Sequence, residues 1–177
     1  MPLTATPTIA VFPEERLTIE QKVEKWVYFM CRSLEENYKQ HSIRMYERGE
    51  SEYSKKCLQD IKNGTDNLTK FRMESGRKYW KIIQQDYDTF RGRNEYKDGG
   101  VHAFINKKTG EVYKPASWKS PAKHVRYDLR IISDREKLHD PNYTGWAGGY
   151  LYMRSVSYTH LRAHETVLDL VCRLLLE

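Results

Sequence analysis

Aromatic and basic residues alternate along residues 99–129, and this segment has the residue types that most clearly favour one chemistry. It contains Phe104, Tyr113, Trp118 and Tyr127 among Lys107, Lys108, Lys114, Lys119, Lys123 and Arg126. Single-stranded nucleic acids bind such surfaces, because bases stack on aromatic rings at about 1 to 3 kcal/mol each while cations neutralise phosphates. Residues of an upstream hairpin extend the surface. We predict nucleic-acid contacts from Lys78, Trp80, Lys81, Lys107, Lys108, Lys114, Trp118, Lys119, Lys123 and Arg126.

A second interpretation of the same segment is structural. Phe104, Tyr113 and Trp118 would then belong to the hydrophobic core, and the lysines would form a solvated rim around it. Strand alternation does not decide which face of a sheet is exposed to solvent. The exposure of Trp118 distinguishes the two interpretations, since a buried ring belongs to the core and an exposed ring between lysines can stack on a base.

The histidine and acidic residues of the sequence do not indicate a catalytic or metal site. His102 and the acidic residues Asp86, Asp88, Glu95 and Asp98, which follow the predicted second strand, would be needed for a metal-dependent nuclease. No known catalytic or nucleotide-binding motif accompanies them. We therefore predict no catalytic residue, no metal and no cofactor. His102 is expected to be a hydrogen-bonded structural residue, and His41, His124 and His139 are expected to face solvent.

The charge of the chain is concentrated in its middle. Residues 69–130 carry 15 Lys and Arg against 7 Asp and Glu, a net charge of +8. A basic domain of this kind favours polyanions, with nucleic acid first and an anionic membrane second. No signal peptide and no apolar stretch long enough to cross a membrane is recognisable, so we expect a protein without a membrane role. Cys31 and Cys57 lack the spacing of a zinc site or a disulfide framework.

The elements that must position these residues begin with an amphipathic helix. Thr18 and Gln21 have the spacing of a capping box, and apolar residues then recur every three or four positions up to Tyr38. We expect this helix to pack under a sheet and its glutamates, Glu20, Glu24, Glu35 and Glu36, to face water. Residues 43–67 are polar and predict a loop with a short helix at residues 51–61.

Two hairpins and one further strand are predicted after the loop. Residues 69–73 and 77–83 flank a turn at Ser75 and Gly76, and residues 101–106 and 111–114 flank a turn with Gly110 in the left-handed conformation. The pairs Gly99–Gly100 and Gly148–Gly149 are interpreted as parts of turns, and residues 149–153 as the last strand. The predicted fold is α+β: a long N-terminal helix packed on an antiparallel sheet of about five strands.

The last 22 residues, from Val156 to Glu177, resemble a translated sequencing adaptor. Read as codons, GTC TCT TAT ACA CAT CTC CGA GCC CAC GAG would encode residues 156–165, and this nucleotide sequence is similar to the adaptor of short-read sequencing libraries. The apolar residues of this tail also have helical spacing, so an amphipathic helix is the alternative. We predict an extended lead at residues 1–17, one C-terminally truncated domain at 18–155 and a non-native tail at 156–177.

The block of residues 99–129, with RKYWKI upstream and GGYLYMR downstream, is similar to small uncharacterised proteins of tailed phages and prophages. This resemblance implies a phage or metagenomic origin and a shared fold, and it supplies no catalytic residue. Because no signal peptide or transmembrane segment is recognisable, the expected location is the host cytoplasm. The sequence therefore leaves two functions open. The protein binds nucleic acid through its basic aromatic sheet, or it is an interaction module that binds a host or virion protein through the helix at residues 18–38 or an edge strand.

Overall fold

The computed structural model describes residues 17–152, apart from the side chain of Arg91. The first element is helix α1 (Ile19–Glu47), and its N-terminus is the predicted capping box. The backbone N–H of Gln21 donates to Thr18 Oγ1 at 3.3 Å, and the backbone N–H of Thr18 donates to Gln21 Oε1 at 2.9 Å. Each side chain therefore satisfies a backbone donor that the helix itself leaves unpaired.

Helix α1 is longer than predicted. Residues 43–47 were expected to lie in a loop and are the last turn of the helix, which ends just before Gly49. Polar residues such as these are compatible with a helix, and the chain has no Pro or Gly before Gly49 to stop it. The predicted short helix is confirmed as α2 (Glu52–Asn63), with Ser51 as its N-cap and Gly64 in the left-handed conformation at its end.

The sheet is a five-stranded antiparallel meander in which every strand pairs with its neighbour in sequence. Its strands are β1 (Lys70–Ser75), β2 (Tyr79–Asp88), β3 (Glu95–Asn106), β4 (Glu111–Pro115) and β5 (Pro121–Asp128). Gly110 closes the β3–β4 hairpin with a φ of 70° and donates its N–H to the carbonyl oxygen of Asn106. The α+β prediction, with one long helix packed on about five strands, is confirmed.

The number of strands was right, but one strand was misplaced. Strand β5 was not predicted, whereas Gly149–Leu151, expected to begin the last strand, is a turn of 3-10 helix. Gly148 precedes that turn with a φ of 75°, a left-handed conformation that turns the chain. A third helix, α3 (Ile132–His139), fills the region between β5 and this turn and was also not predicted. Met153, the last residue of the predicted strand, lies outside the described residues.

Strand β3 contains the glycine pair that was interpreted as a turn. Gly99 and Gly100 lie inside the strand, where Asp98 is paired with Gln85 but Val101 is paired with Ile83. Two residues of β3 thus face one residue of β2, which is the definition of a β-bulge. A Cβ on Gly99 would lie 3.3 Å from the carbonyl oxygen of Gln84, so glycine permits the close approach of the two strands.

The hydrophobic core lies between α1 and one face of the sheet. Val27, Met30 and Leu34 of α1 are fully buried against Ile82 and Ile105 of the sheet. Further members of this cluster are Val23, Cys31, Phe71, Ala103, Val112, Leu129, Leu138 and Leu151. We call this side of the sheet the helix-covered face. The cluster joins both ends of the domain, since Val23 comes from its first helix and Leu151 from its last turn.

The segment after β5 is fixed to α1 by hydrogen bonds. Ser33 Oγ donates to the carbonyl oxygen of His139 at 2.5 Å, and Asn37 Nδ2 donates to that of Pro141 at 2.6 Å. Asn37 Oδ1 also accepts from the backbone N–H of Trp146 at 3.0 Å, and the Trp146 ring packs edge-on against Tyr38 at 5.1 Å. We call these contacts the terminal clasp, because they join residues more than 100 positions apart.

Candidate nucleic-acid surface and cavity

The sheet has a second face, opposite the helix-covered face, where part of the predicted surface lies. Lys81, Phe104 and Tyr113 are opposite one another in neighbouring strands and therefore share this face. Phe104 is only 1% exposed, whereas Tyr113 is half-buried and packs edge-on against Tyr79 at 5.9 Å. The core interpretation thus holds for Phe104.

Trp118 lies in the loop between β4 and β5 and is 43% exposed. Its ring lies 5.9 Å from Nζ of Lys81 on β2, so the loop extends back over β3 and Phe104. Lys81 also donates to Glu74 Oε1 at 3.2 Å, and its charge is therefore partly neutralised. The ring of Trp118 is accessible and next to Lys119, which is the arrangement that permits base stacking.

Three of the predicted lysines are exposed and uncompensated. Within the described part of the chain, the side chains of Lys108, Lys119 and Lys123 make no hydrogen bond, ion pair or ring contact, whereas Nζ of the exposed Lys78 lies 5.3 Å from the centre of the Tyr79 ring. A cation without a protein partner keeps its full attraction for a phosphate, since no internal ion pair has to be broken. These lysines are the strongest electrostatic candidates of the predicted set.

A second part of the predicted set gathers at the end of the sheet where the β1–β2 and β3–β4 turns meet. The backbone N–H of Lys107 donates to the carbonyl oxygen of Lys78. Nζ of Lys107 lies 4.5 Å from the centre of the Trp80 ring and donates to Ser75 Oγ at 2.6 Å. Trp80 is half-buried and packs against the core, so Lys107 occupies part of the ring surface that is not in the core.

Lys114 and Arg126 lie on the helix-covered side and make structural contacts there. Nζ of Lys114 lies 3.6 Å from the centre of the Tyr152 ring. Nε of Arg126 donates to the carbonyl oxygen of Leu151 at 2.8 Å and thereby holds the 3-10 turn against β5. The ten predicted residues are therefore divided among the loop, the turn end and the two faces of the sheet.

Lys114 and Tyr152 are part of the wall of a cavity of about 350 Å³. His102 of β3 lines the same cavity and is 9% exposed. Its Nε2 is hydrogen-bonded to the hydroxyl of Tyr150 at 2.9 Å, which confirms the expected structural role. Burial lowers the pKa of His102 to about 4 and so keeps the ring neutral at pH 7.

The other histidines are not all solvent-exposed as expected. His124 is exposed, but His139 is half-buried, and its Nε2 donates to the carbonyl oxygen of Trp26 at 3.0 Å. Burial lowers the pKa of His139. His41 is exposed at the surface, although its ring lies 5.5 Å from that of Trp146. The polar neighbours of His139 in sequence gave no sign that α3 would pack it against α1.

The acidic residues considered for catalysis belong to the sheet. Asp86 and Asp88 lie in β2, not after it, because that strand extends to residue 88, and Glu95 and Asp98 lie in β3. Asp98 forms an ion pair with Arg72, and this contact with a cation lowers its pKa to about 2. Glu35 was expected to face water, yet it accepts a hydrogen bond from the backbone N–H of Phe71.

The residues that the structure describes form neither a metal-ligand group nor a membrane-spanning helix. Between residues 17 and 152, His, Cys, Asp and Glu side chains form no group of three or more that could hold a metal ion. None of the helices in that range is long and apolar enough to cross a membrane.

The structure defines an α+β protein with a helix-backed antiparallel meander, an exposed basic aromatic loop and one cavity between the sheet and the last turn. Within that class, the chain belongs to a family of unknown function, DUF7717, whose model matches residues 10–153. No curated protein and no solved structure is significantly similar to the chain. The adaptor-like tail at residues 156–177 lies outside both the matched range and the described residues, and its origin stays a prediction.

The cavity is the feature that sequence reasoning missed. Its aromatic wall comes from Trp146 and Tyr152, and Gly100 and Gly148 also line it. The glycine pairs at residues 99–100 and 148–149 were visible in the sequence, but each was interpreted as a turn. A glycine inside a strand often marks a close approach or a ligand, and this was the available signal.

Proposed function

We propose that this protein is a phage-encoded accessory protein that binds single-stranded nucleic acid in the host cytoplasm, with Trp118 as the stacking residue and Lys108, Lys119 and Lys123 as phosphate contacts. The observation that carries the proposal is Trp118, a large aromatic ring that is 43% exposed beside an uncompensated lysine. Soluble proteins expose such rings singly without consequence, but the surrounding charge of +8 over residues 69–130 favours a polyanion here.

The lysines supply the part of binding that depends on salt. Each phosphate neutralised on a single strand contributes about −0.7 to the slope of log K against log salt concentration. Replacing Lys108, Lys119 and Lys123 by Gln should therefore make that slope shallower by about 2. The matched control replaces Lys55, Lys56 and Lys62, three exposed lysines of α2, and should leave the slope unchanged.

The ring supplies the part that does not depend on salt. Trp118→Ala should weaken binding by about 1 to 3 kcal/mol if one base stacks there, and Trp118→Phe should restore most of the loss. Tyr53→Ala is the control, because Tyr53 is an exposed aromatic residue of α2 with 68% exposure. Fluorescence anisotropy of labelled single-stranded DNA, RNA and duplex at low and moderate salt gives all these values. Absence of binding to every probe at low salt would overturn the proposal.

A second candidate function is binding of a host or virion protein through α1. Tyr28 and Phe29 are adjacent on this helix, are 54% and 43% exposed, and pack edge-on at 5.9 Å. Exposed neighbouring aromatic residues are enriched at protein interfaces. A pull-down from infected host lysate at high salt, repeated with Tyr28→Ser and Phe29→Ser together, tests it. A partner retained at high salt by the original chain and lost by the double variant would support this function.

A further inference from the structure

The cavity beside Lys114 has the size and lining of a small-molecule site. Its volume of about 350 Å³ lies in the range of ligand pockets, which extend from about 300 to 1,000 Å³. Strand β3 contributes one wall with Gly100 and His102, β4 contributes Lys114, and the segment after α3 contributes Trp146 and Tyr152. The cavity therefore lies between the sheet and the segment held by the terminal clasp.

The charge of the cavity selects an anion. Lys114 is the sole charged residue among the described residues that line it, and no carboxylate of the described chain forms an ion pair with Lys114. Its ammonium group lies 3.6 Å from the centre of the Tyr152 ring, which fixes its position without neutralising its charge. An ammonium group held in this way at a cavity wall is suited to bind a phosphate.

The aromatic residues of the cavity select a flat, polarisable group. Trp146 packs against Tyr38 and His41 of α1, with ring centres 5.1 Å and 5.5 Å away. Tyr152 is 62% exposed and presents its ring on another part of the wall. Rings such as these bind planar heterocycles by stacking, at about 1 to 3 kcal/mol for each base.

His102 supplies a polar group inside the cavity. Its Nε2 is occupied by the Tyr150 hydroxyl, and its Nδ1 has no hydrogen-bond partner among the described residues. Every fully buried side-chain nitrogen or oxygen of those residues has a partner, so Nδ1 must be reachable from the cavity. Gln84, which also lines the cavity, adds an amide. A donor or acceptor on the edge of a heterocycle can pair with these groups.

From these walls we infer that the cavity binds one nucleotide unit, with its base against Trp146 and Tyr152, a polar edge at His102 and its phosphate at Lys114. The choice of a nucleotide over other aromatic anions rests on the proposed function. This nucleotide unit is either a free mononucleotide or one unstacked nucleotide of a bound single strand, since both present the same base and phosphate.

The experiment compares the two sources on the same protein. Binding of uridine 5′-monophosphate and adenosine 5′-monophosphate is measured by calorimetry and saturation-transfer NMR. Uridine, which lacks the phosphate, and inorganic phosphate, which lacks the base, serve as partial ligands. Binding of a short oligothymidylate, intact or with one abasic position, is measured by anisotropy. We expect each partial ligand to bind at least about tenfold more weakly than the monophosphate, because it lacks either the stacking or the charge.

Two variants test the walls. Gly100→Val should close the cavity, because Gly100 lines it and valine adds a branched side chain there. The fold should tolerate this change, because a Cβ on Gly100 would have no heavy atom within 4 Å and valine suits a strand. Gly145→Val is its control, because Gly145 is equally free of neighbours and does not line the cavity. Lys114→Gln removes the cation without removing most of the side-chain stem, and Lys55→Gln is the matched change of an exposed lysine on α2, outside the cavity. Thermal unfolding of each variant confirms that it is folded.

The outcomes separate this inference from the proposed function. If the monophosphate binds, and if Gly100→Val and Lys114→Gln each lower its affinity at least about tenfold, the cavity is a binding site for a free nucleotide. If only the oligonucleotide binds and the same two variants weaken it, the strand is the source. If neither variant changes the binding of either ligand, the inference is overturned. Oligonucleotide binding that depends on Trp118 but not on Gly100 or Lys114 would overturn the cavity site and leave the proposed function intact. Binding of the monophosphate in the cavity, with no binding of any oligonucleotide, would support the cavity site and overturn the proposed function.

Discussion

Burial of His102 should make the protein less stable in mild acid. The pKa of this residue is about 4 in the folded chain and about 6.5 in an unfolded one, because burial disfavours the charged ring. Between those values the unfolded chain binds more protons. The stability that His102 contributes is therefore fully present above about pH 6.5 and is lost as the pH falls through 4.

The size of the loss follows from these two pKa values. The free energy of unfolding should fall by about 2 kcal/mol between pH 7.5 and pH 5, and by about 3 kcal/mol once the pH is below 4. With a urea dependence of about 1 to 3 kcal/mol per molar, the first loss lowers the unfolding midpoint by about 1 M. His139, whose pKa is also lowered by burial, adds a loss of the same sign in the same range.

A variant separates His102 from the other titrating groups. Urea unfolding followed by circular dichroism is measured from pH 5 to pH 7.5 for the original chain, for His102→Gln and for His124→Gln, which changes an exposed histidine. His102→Gln should be less stable at neutral pH, because the bond to Tyr150 is altered, but its stability should change less with pH. The profile of His124→Gln should follow that of the original chain. Parallel profiles for the original chain and His102→Gln would refute the reasoning.

Two further predictions concern the turn at Gly110 and the thiols. Gly110→Ala should cost about 1 kcal/mol or more, because its φ of 70° strains an L side chain and the new Cβ would lie 3.4 Å from Val23; a thermal unfolding midpoint within about 1 °C of the original would contradict this. Cys31 is 5% exposed and burial raises its pKa to about 12, so a thiol reagent should modify the half-exposed Cys57 before Cys31, as peptide mapping would show. Equal rates for the two would contradict it.

The elements that sequence identified were those with strong local signals. Helix α1 begins at a capping box, and the β3–β4 hairpin contains a glycine that must be left-handed. Strand β5 was missed because it begins at Pro121 after a serine-rich loop and carries exposed residues at its centre, so no alternating pattern marks it. Residues 149–152 do alternate between aromatic and other types, but Leu151 joins the core cluster and Tyr150 packs against it from a 3-10 turn, without a partner strand.

The candidate surface was predictable in its residue types and less so in its geometry. Trp80 and Lys81 are adjacent in one strand, and adjacent strand residues point to opposite faces. The sequence alone therefore predicts that their side chains lie on different faces of the sheet. Which face is covered depends on where α1 packs, and this is a tertiary property that a short pattern does not contain. The cavity depends on contacts between His102 and Tyr150, 48 residues apart, and on the bulge in β3, neither of which has a local signature.

The terminal clasp has a consequence for how the chain folds during synthesis. Helix α1 is made early, whereas the groups that bind its Ser33 and Asn37 follow 104 to 109 residues later. At about 5 to 20 residues per second, that interval lasts about 5 to 20 seconds. During it, the side of α1 against which α3 packs is not yet covered by that segment of the chain. A nascent chain of this protein should therefore bind chaperones until residue 151 has left the ribosome, and it should reach protease resistance only after that point.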